Sequence, residues 1–482
     1  MRAVLANPRL PLWQTTAVGL SILLAYGLVS SAWAGTIVVL LAGGALVLVL
    51  TVWLPPQIFV AASLALLVTF QLSAEHPFVF GGIRPFVPGD ILLYTSDLLI
   101  VFVIVRALAP HPRRAVDWSI LDIPTAVALG LWALMMIMAA ARGYQAGTPT
   151  ESLARLGDQV VYYPILAWGF VRVLRERGVS ATLVGKALAA TALAFVAYTA
   201  FERLTHQRFE DPNAATGHLG SVVTAHGITL HRDYGFYSAY DLYGLAALAA
   251  ISYLLFAGRP AGPILPVAGI FLGASALTLV RGVVFGMLVG VVLLTLLAFR
   301  TRRPDRRQTQ RLLPLAGLLA VVVVLFSSIS PSSARGMAER FLPGLTPQSQ
   351  ASVQTAQYRQ QALSFGFHEA NARPFGNGLA SNVASAQGLA EAGFLAHSAW
   401  ATMLDYTGWA GVLAFLSSVF LLIRRSTRLP DGPGWLKPFF VAAFALLLVE
   451  GFGSDSIVGQ PWVLGEAALV IGLRFGLADL DG

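Results

Sequence analysis

Cysteine is absent from all 482 residues. That excludes a disulfide framework, thiolate metal sites and a cysteine nucleophile. Charge is also scarce. Asp, Glu, Lys and Arg together make up 12% of the chain, against roughly 25% in ordinary soluble domains. Apolar residues reach 56%, and mean hydropathy is +0.70. So few charges cannot cover that much apolar surface in water, which excludes a soluble enzyme, a disordered tail and a fibre. No GxxxxGK[ST] loop or other nucleotide cradle is present, so pumping driven by ATP within the chain is not expected. What remains is a polytopic membrane protein.

Long apolar runs dominate the chain. A hydrocarbon core of roughly 30 Å needs about 20 helical residues. Candidate spans lie at 12–31, 33–54, 56–74, 91–109, 120–141, 159–174, 182–201, 235–257, 263–280, 282–299, 313–330, 398–423, 438–453 and 460–477. The runs are apolar all round, without the period-2 alternation of barrel strands. An all-α fold of about 12–14 transmembrane helices is therefore expected. It divides into helices 1 to about 11 over 1–330, an outer loop over 331–397, and the last three helices over 398–482.

With the N-terminus in the cytoplasm and strict alternation, 21 of the 32 Lys and Arg residues fall inside. The positive-inside rule supports that orientation, with the strongest signal at 300–311. The basic excess thus reports topology and does not point to nucleic acid. Arg2 and Arg9, an apolar run and Ala32-Trp33-Ala34 imitate a signal peptide. The run is longer than a usual signal core of about 7–15 residues, so an uncleaved first helix is expected.

The cytoplasmic loops are short; the long ones, 75–90, 142–158, 202–234 and 331–397, lie outside. Within the last, 348–370 is rich in helix formers, with Tyr358, Ala362 and Phe365 at helical spacing. This predicts a helix lying over the outer mouth of the bundle. Arg373-Pro374-Phe375-Gly376-Asn377-Gly378 then forms a turn.

The outer arginines are the exceptions to the topology rule. Arg281 sits between two apolar runs, with no carboxylate within ten positions on either side. An arginine near hydrocarbon needs an anionic partner, and a phosphate-bearing lipid suits the guanidinium fork. The alternative is an arginine snorkelling to the outer headgroups. Arg232, at the mouth of the span from 235, is a second candidate clamp, or else a partner of Asp233. Arg359 lies on the predicted surface helix. Arg203 and Arg208 read as headgroup contacts, and Arg208 and Tyr234 join the candidate substrate-binding residues.

His397 stands where the long loop enters a helix. Neutral imidazole is available there as a general base, a role closed to arginine. A cap or interface histidine is the plainer alternative. Asp97 falls near the middle of its span, Asp241 about two turns into its helix, and Asp405 two turns beyond His397 on a similar face. Glu450 and Glu466 sit in the last two helices. The remaining histidines have no metal-ligand spacing, and no Asp/Asn-rich metal signature is evident, so neither a metal nor a cofactor is expected.

Four features together resemble the bacterial O-antigen ligase and O-antigen polymerase superfamily, whose members transfer glycans from an undecaprenyl-diphosphate carrier. They are Val280-Arg281-Gly282; the outer Arg232 to Phe236; Arg359 followed by Pro374-Phe375-Gly376-Asn377-Gly378; and His397, Asp405, Gly408 and Gly411. Their order agrees over roughly residues 90–420. The chain departs from the family's frequent pattern at Val280 (often Ser), Ser398 (commonly Asn) and Asp405 (often Glu), and Asp241 takes the place of an Asn.

The resemblance implies a fold similar to the lipid-dependent GT-C-type glycosyltransferases, with a large periplasmic loop and an active site on the periplasmic side of the inner membrane. It implies a donor of undecaprenyl-diphosphate-linked glycan and an acceptor hydroxyl on a lipid A core or another glycan. Arg281, Arg232 and Arg359 would hold the diphosphate and His397 would be the base, inverting the anomeric carbon without a metal. Loop 331–397 would act as a lid. The rival expectation is a flippase or transporter, for which Asp97 and Glu466 would line a central cavity.

Overall fold

The computed structural model describes residues 51–68, 78–80, 91–93, 95–113, 122–148, 163–177, 179–205, 221–223, 229–231, 240–256, 270–275, 281–301, 350–379, 398–430, 432–451 and 461–478. The expected spans 12–31 and 313–330, most of the basic loop 300–311 and the signal-like Ala32-Trp33-Ala34 lie outside these residues.

The described fold is all-α apart from two short ladders. Its helices are α1 (Pro56–Val68), α2 (Thr95–Leu108), α3 (Ile123–Gln145), α4 (Tyr163–Leu174), α5 (Ala181–Thr205), α6 (Tyr240–Phe256), α7 (Arg281–Thr301), α8 (Gln350–Ala372), α9 (Ala399–Arg428), α10 (Leu436–Glu450) and α11 (Pro461–Gly476). Among the described residues, three segments are long and apolar enough to cross a membrane: Ile123–Gln145, Ala181–Phe201 and Ala399–Arg428. Ile123, Val127, Leu131 and Ile137 on α3, and Leu413 and Phe420 on α9, are exposed. Such faces suit lipid rather than water.

Helix ends follow local chemistry. Asp122 caps α3 by accepting the Thr125 N–H at 3.0 Å, with Pro124 in the first turn. Ser398 caps α9 by accepting from the Ala401 N–H at 3.3 Å. The predicted surface helix is α8, and its Ala362 and Phe365 are buried.

The ladders correct the sequence reading. β1 (Phe78–Phe80) pairs antiparallel with β2 (Ile91–Leu93), and β3 (Ser221–Val223) with β4 (Thr229–His231). An apolar run such as Ile91–Leu93 does not by its composition distinguish strand from helix. Helix α2 therefore starts at Thr95, and Asp97 is its third residue rather than mid-span. Asp241 is likewise the second residue of α6, not two turns inside.

One end of the bundle is built on arginines. Arg106, 1% exposed, is ion-paired with Glu176, 2% exposed, through Nη2–Oε2 at 2.6 Å. Its Nη1 donates to the carbonyls of Thr51, Val52 and Leu54. Arg113 donates to the carbonyls of Arg106 and Ala109, and Arg172 to that of Ala107. Arg474 donates to the Ser426 carbonyl at 2.7 Å. These cations satisfy the carbonyls that helix C-termini leave unpaired. Asp122, at the same end, has its carboxyl held below the usual range, chiefly by its hydrogen bond from Thr125 and further by Arg425 and Arg428.

The core lies around α5, α6, α7, α10 and α11. Phe195 stacks on Tyr243 at 4.2 Å between ring centres, and the Tyr243 hydroxyl donates to the Phe271 carbonyl at 2.6 Å. A small apolar crevice, with room for about one water molecule, lies between Phe59, Phe170, Val184 and Leu473. Its walls carry no ionisable group.

Candidate functional site

Three chain segments meet at the end of the bundle opposite the arginine cluster. Glycines 282, 286 and 290 recur every four residues along α7 and let α10 approach closely. A Cβ at Gly286 would lie 2.9 Å from the Leu446 carbonyl oxygen, and one at Gly282 would lie 3.3 Å from Cγ of Glu450. The last turn of α10 also holds the first turn of α9. The Ala399 N–H donates to the Gly451 carbonyl at 3.0 Å, and Trp400 Nε1 to the Leu448 carbonyl at 3.3 Å. The C-terminus of α10 is thus the common neighbour of the starts of α7 and α9.

A second construction lies further along α9. Gly408 has φ +65°, ψ −168°, which breaks the helix. The turn after α8 fills the break. The Asn377 N–H donates to the Asp405 carbonyl at 2.7 Å, the Gly378 N–H to the Tyr406 carbonyl at 3.2 Å, and the Ala410 N–H to the Pro374 carbonyl at 3.1 Å. The Asp405 and Tyr406 carbonyls and the Ala410 N–H, all freed by the unwinding, are thereby paired. A Cβ at Gly408 would fall 2.3 Å from the Pro374 oxygen, and one at Gly376 2.4 Å from the Tyr406 oxygen. Helix α3 closes the other side: the Leu379 N–H donates to the Ala139 carbonyl at 2.8 Å, and Arg142 donates to the carbonyls of Phe375 and Gly376.

Side chains lock this turn. The Asn377 amide donates to Glu369 Oε2 at 3.0 Å and to Asp405 Oδ1 at 2.7 Å, while its oxygen accepts from Arg373 Nη1 at 2.5 Å. Asp405 is fully buried, and Glu369 and Asn377 are 7% and 8% exposed. One carboxamide therefore spans two buried carboxylates and an exposed guanidinium, using both of its N–H groups and its oxygen.

The expected site residues divide accordingly. Asp405 is in this network. Arg281 is the first residue of α7 and stands beside the α10 terminus through Gly282. Arg359 lies on α8, and Asp241 in the first turn of α6. His397, Arg232, Tyr234 and Arg208 lie outside the described residues. The neighbour of His397 is described, however: Ser398 is the cap of α9, one residue before the Ala399 N–H that joins α10.

The sequence reading missed Glu369 and the bridging role of Asn377. It placed Arg373 and Asn377 only in a turn. The two carboxylates are joined through that turn, and only a turn residue with an amide between two glycines gave a local sign of it. Among the described residues, no group of three or more His, Asp or Glu side chains is placed to hold a metal ion. Compared with known proteins, the chain matches no family model and no curated protein.

Proposed function

We propose that the protein is an inner-membrane glycosyltransferase that moves a glycan from an undecaprenyl-diphosphate carrier to an acceptor hydroxyl on the periplasmic face, in the manner of an O-antigen ligase. A polymerase of surface-polysaccharide repeat units is the next nearest activity. The chain then has about 12–14 spans, with the arginine-capped end in the cytoplasm and the opposite end in the periplasm. Membrane lipids surround it, and nucleic acid is no partner.

The observation that carries this reading is the meeting of the starts of α7 and α9 on the terminus of α10. It brings the arginine-glycine step and the residue that follows His397 to one locus. The docking of Pro374–Gly378 into the break at Gly408 gives further support. The Pro374–Gly378 turn and the Asp405-to-Gly408 stretch of α9, two parts of that ordered set, are in contact.

In the proposed reaction the donor's diphosphate rests at the outer headgroup level. Arg281 and Arg232, with Arg359, hold its oxygens and stabilise charge growing on the leaving group. His397 takes the proton from the acceptor hydroxyl as that oxygen attacks the anomeric carbon from the opposite face. The carbon–oxygen bond to the carrier breaks, the electron pair leaves with undecaprenyl diphosphate, and the configuration inverts. Asp405, Asp241, Tyr234 and Arg208 contribute to the substrate's surroundings. Guanidinium charge does the work a metal would otherwise supply.

The test is the purified protein in nanodiscs with a glycan-loaded undecaprenyl diphosphate and an acceptor glycolipid. Release of undecaprenyl diphosphate with stoichiometric appearance of extended acceptor is the expected result. Movement of intact donor across the bilayer without cleavage would replace the transferase by a flippase. In cells, deletion should leave carrier-linked polymer if the protein is a ligase, or single repeat units if it is a polymerase.

A further inference from the structure

We propose that the arginine-capped end of the bundle binds the headgroup of an anionic phospholipid, through Arg113 and Arg172 at the C-terminus of α2. That terminus is gripped by both side chains. Arg113 Nη2 donates to the carbonyls of Arg106 and Ala109 at 2.9 Å, and Arg172 Nε to that of Ala107 at 3.0 Å. Leu108, 67% exposed, stands among these carbonyls. The fold fixes the two arginines together. The Arg177 N–H donates to the Pro112 carbonyl at 3.0 Å, Arg113 and Glu176 form an antiparallel bridge, and Gly169 of α4 packs on Val103 of α2. Burial, and next the charge of Arg172, hold the pKa of Arg113 below its ordinary value.

The pair has donors to spare and no anion of its own. Glu176 is taken by Arg106, whose Nε donates to Oε1 at 2.9 Å and whose Nη2 donates to Oε2 at 2.6 Å. Among the described residues, no carboxylate is hydrogen-bonded to Arg113 or Arg172, and Arg113 Nε has no acceptor. A guanidinium carries five N–H donors in a planar fork that matches phosphate oxygens. The surroundings favour a lipid phosphate over a soluble one. The Arg172 guanidinium lies over the Trp168 ring, 5.2 Å from its centre, and Trp168 is itself partly exposed. Tryptophan of this kind marks the headgroup level, and the stacking holds the cation at that depth. Val101, seven residues before Leu108 on the same face of α2, is also exposed. An acyl chain below the bound headgroup would lie along that face. Basic pockets between helices are a known form of headgroup site. The site rests on the membrane character of the chain and not on the transferase reading, which concerns the opposite end.

The test uses the full-length protein in detergent. Phosphatidylglycerol is the probe, phosphatidylcholine the zwitterionic control and glycerol phosphate the soluble one. Native mass spectrometry counts bound lipid, and melting is followed in parallel. Phosphatidylglycerol should bind and raise the midpoint by several degrees, as a ligand of the folded state does; the two controls should do neither. Arg113→Gln combined with Arg172→Gln should weaken binding by about tenfold or more and remove the rise, and each single change should remove part of it. Each protein is compared with and without lipid, so a lower baseline does not count as lost binding. Arg424→Gln, which changes an exposed arginine in the last turns of α9, should bind as the wild type does. Equal binding of phosphatidylcholine would overturn the proposal, as would equal binding of glycerol phosphate. So would wild-type affinity in the double variant or, where that variant does not fold, in both single ones. An equal loss in Arg424→Gln would replace the site by diffuse surface charge.

Discussion

Asn377 holds Asp405 twice: its side-chain amide reaches Asp405 Oδ1 at 2.7 Å, and its backbone N–H reaches the Asp405 carbonyl at 2.7 Å. The first bond serves a buried carboxylate. The second serves a carbonyl that the break in α9 leaves without a helical partner. One residue thus compensates both consequences of unwinding the helix at Gly408, and through Glu369 it ties the end of α8 to the same point.

Asn377→Ala should therefore destabilise the protein well beyond the loss of a turn residue. Two buried carboxylates each lose a donor, and hydrogen bonds to charged groups are worth about 1.5–3 kcal/mol apiece. A melting midpoint that stays at the wild-type value would show that the amide is not carrying this network. Asn377→Asp should be worse than Ala, because it sets a third carboxyl beside the two already there.

Gly408→Ala tests the break itself. An L-residue at φ +65° is strained, at about 1–3 kcal/mol, and the new methyl would overlap the Pro374 carbonyl oxygen. The helix should straighten or the turn should leave its seat. Limited proteolysis between Arg373 and Leu379 should then become fast in the variant and remain slow in the wild type. Equal resistance of the two proteins would mean that the turn does not depend on the break.

The sequence announces the helices more clearly than it announces their partners. The apolar runs that give α3, α5 and α9 are long enough to be read from hydropathy alone, and helix formers over 348–370 anticipate α8 (Gln350–Ala372). Ile91–Leu93 was as apolar as the helix after it, so nothing local separated strand from span, and Asp97 was misplaced as a result. Pro374 to Gly378 was legible as a turn. Its seat in α9 was not, because that depends on Gly408 taking a left-handed φ and on α3 arriving from far away in the chain. In the sequence Glu450 shows only as an acid near the end of an apolar run. Its nearness to the first turn of α7 follows from a glycine stripe whose meaning appears only once α10 lies against it.

At the opposite end, the fold predicts a pH dependence through His111. Burial, followed by the neighbouring charge of Arg106, pushes its imidazole below the ordinary value of 6.5, and Glu176 only partly opposes this. A histidine of this kind binds its proton more readily in the unfolded chain. Its contribution to stability is fully present above pH 6.5, falls as pH drops below that value, and levels off below the lower folded pKa. His111→Gln should remove that part of the slope. Melting of both proteins between about pH 7.5 and pH 5 should give curves that diverge only toward the acid side; parallel curves would exclude His111 as the titrating group.

The last prediction separates charge from geometry at the proposed reaction centre. His397→Ala should abolish glycan transfer while leaving melting unchanged, since no other group in the proposed scheme takes the acceptor's proton. Arg281→Ala should lower turnover by about 10²–10³-fold, the usual effect of removing one group that stabilises transition-state charge. Arg281→Lys keeps the charge and loses the planar fork, so it should restore little of that rate. Turnover is best followed as undecaprenyl diphosphate released per minute, at saturating acceptor and varied donor. If Lys at 281 works at the wild-type rate, the site needs a positive point and not a bidentate grip, and the close fit of α7 against α10 serves packing alone.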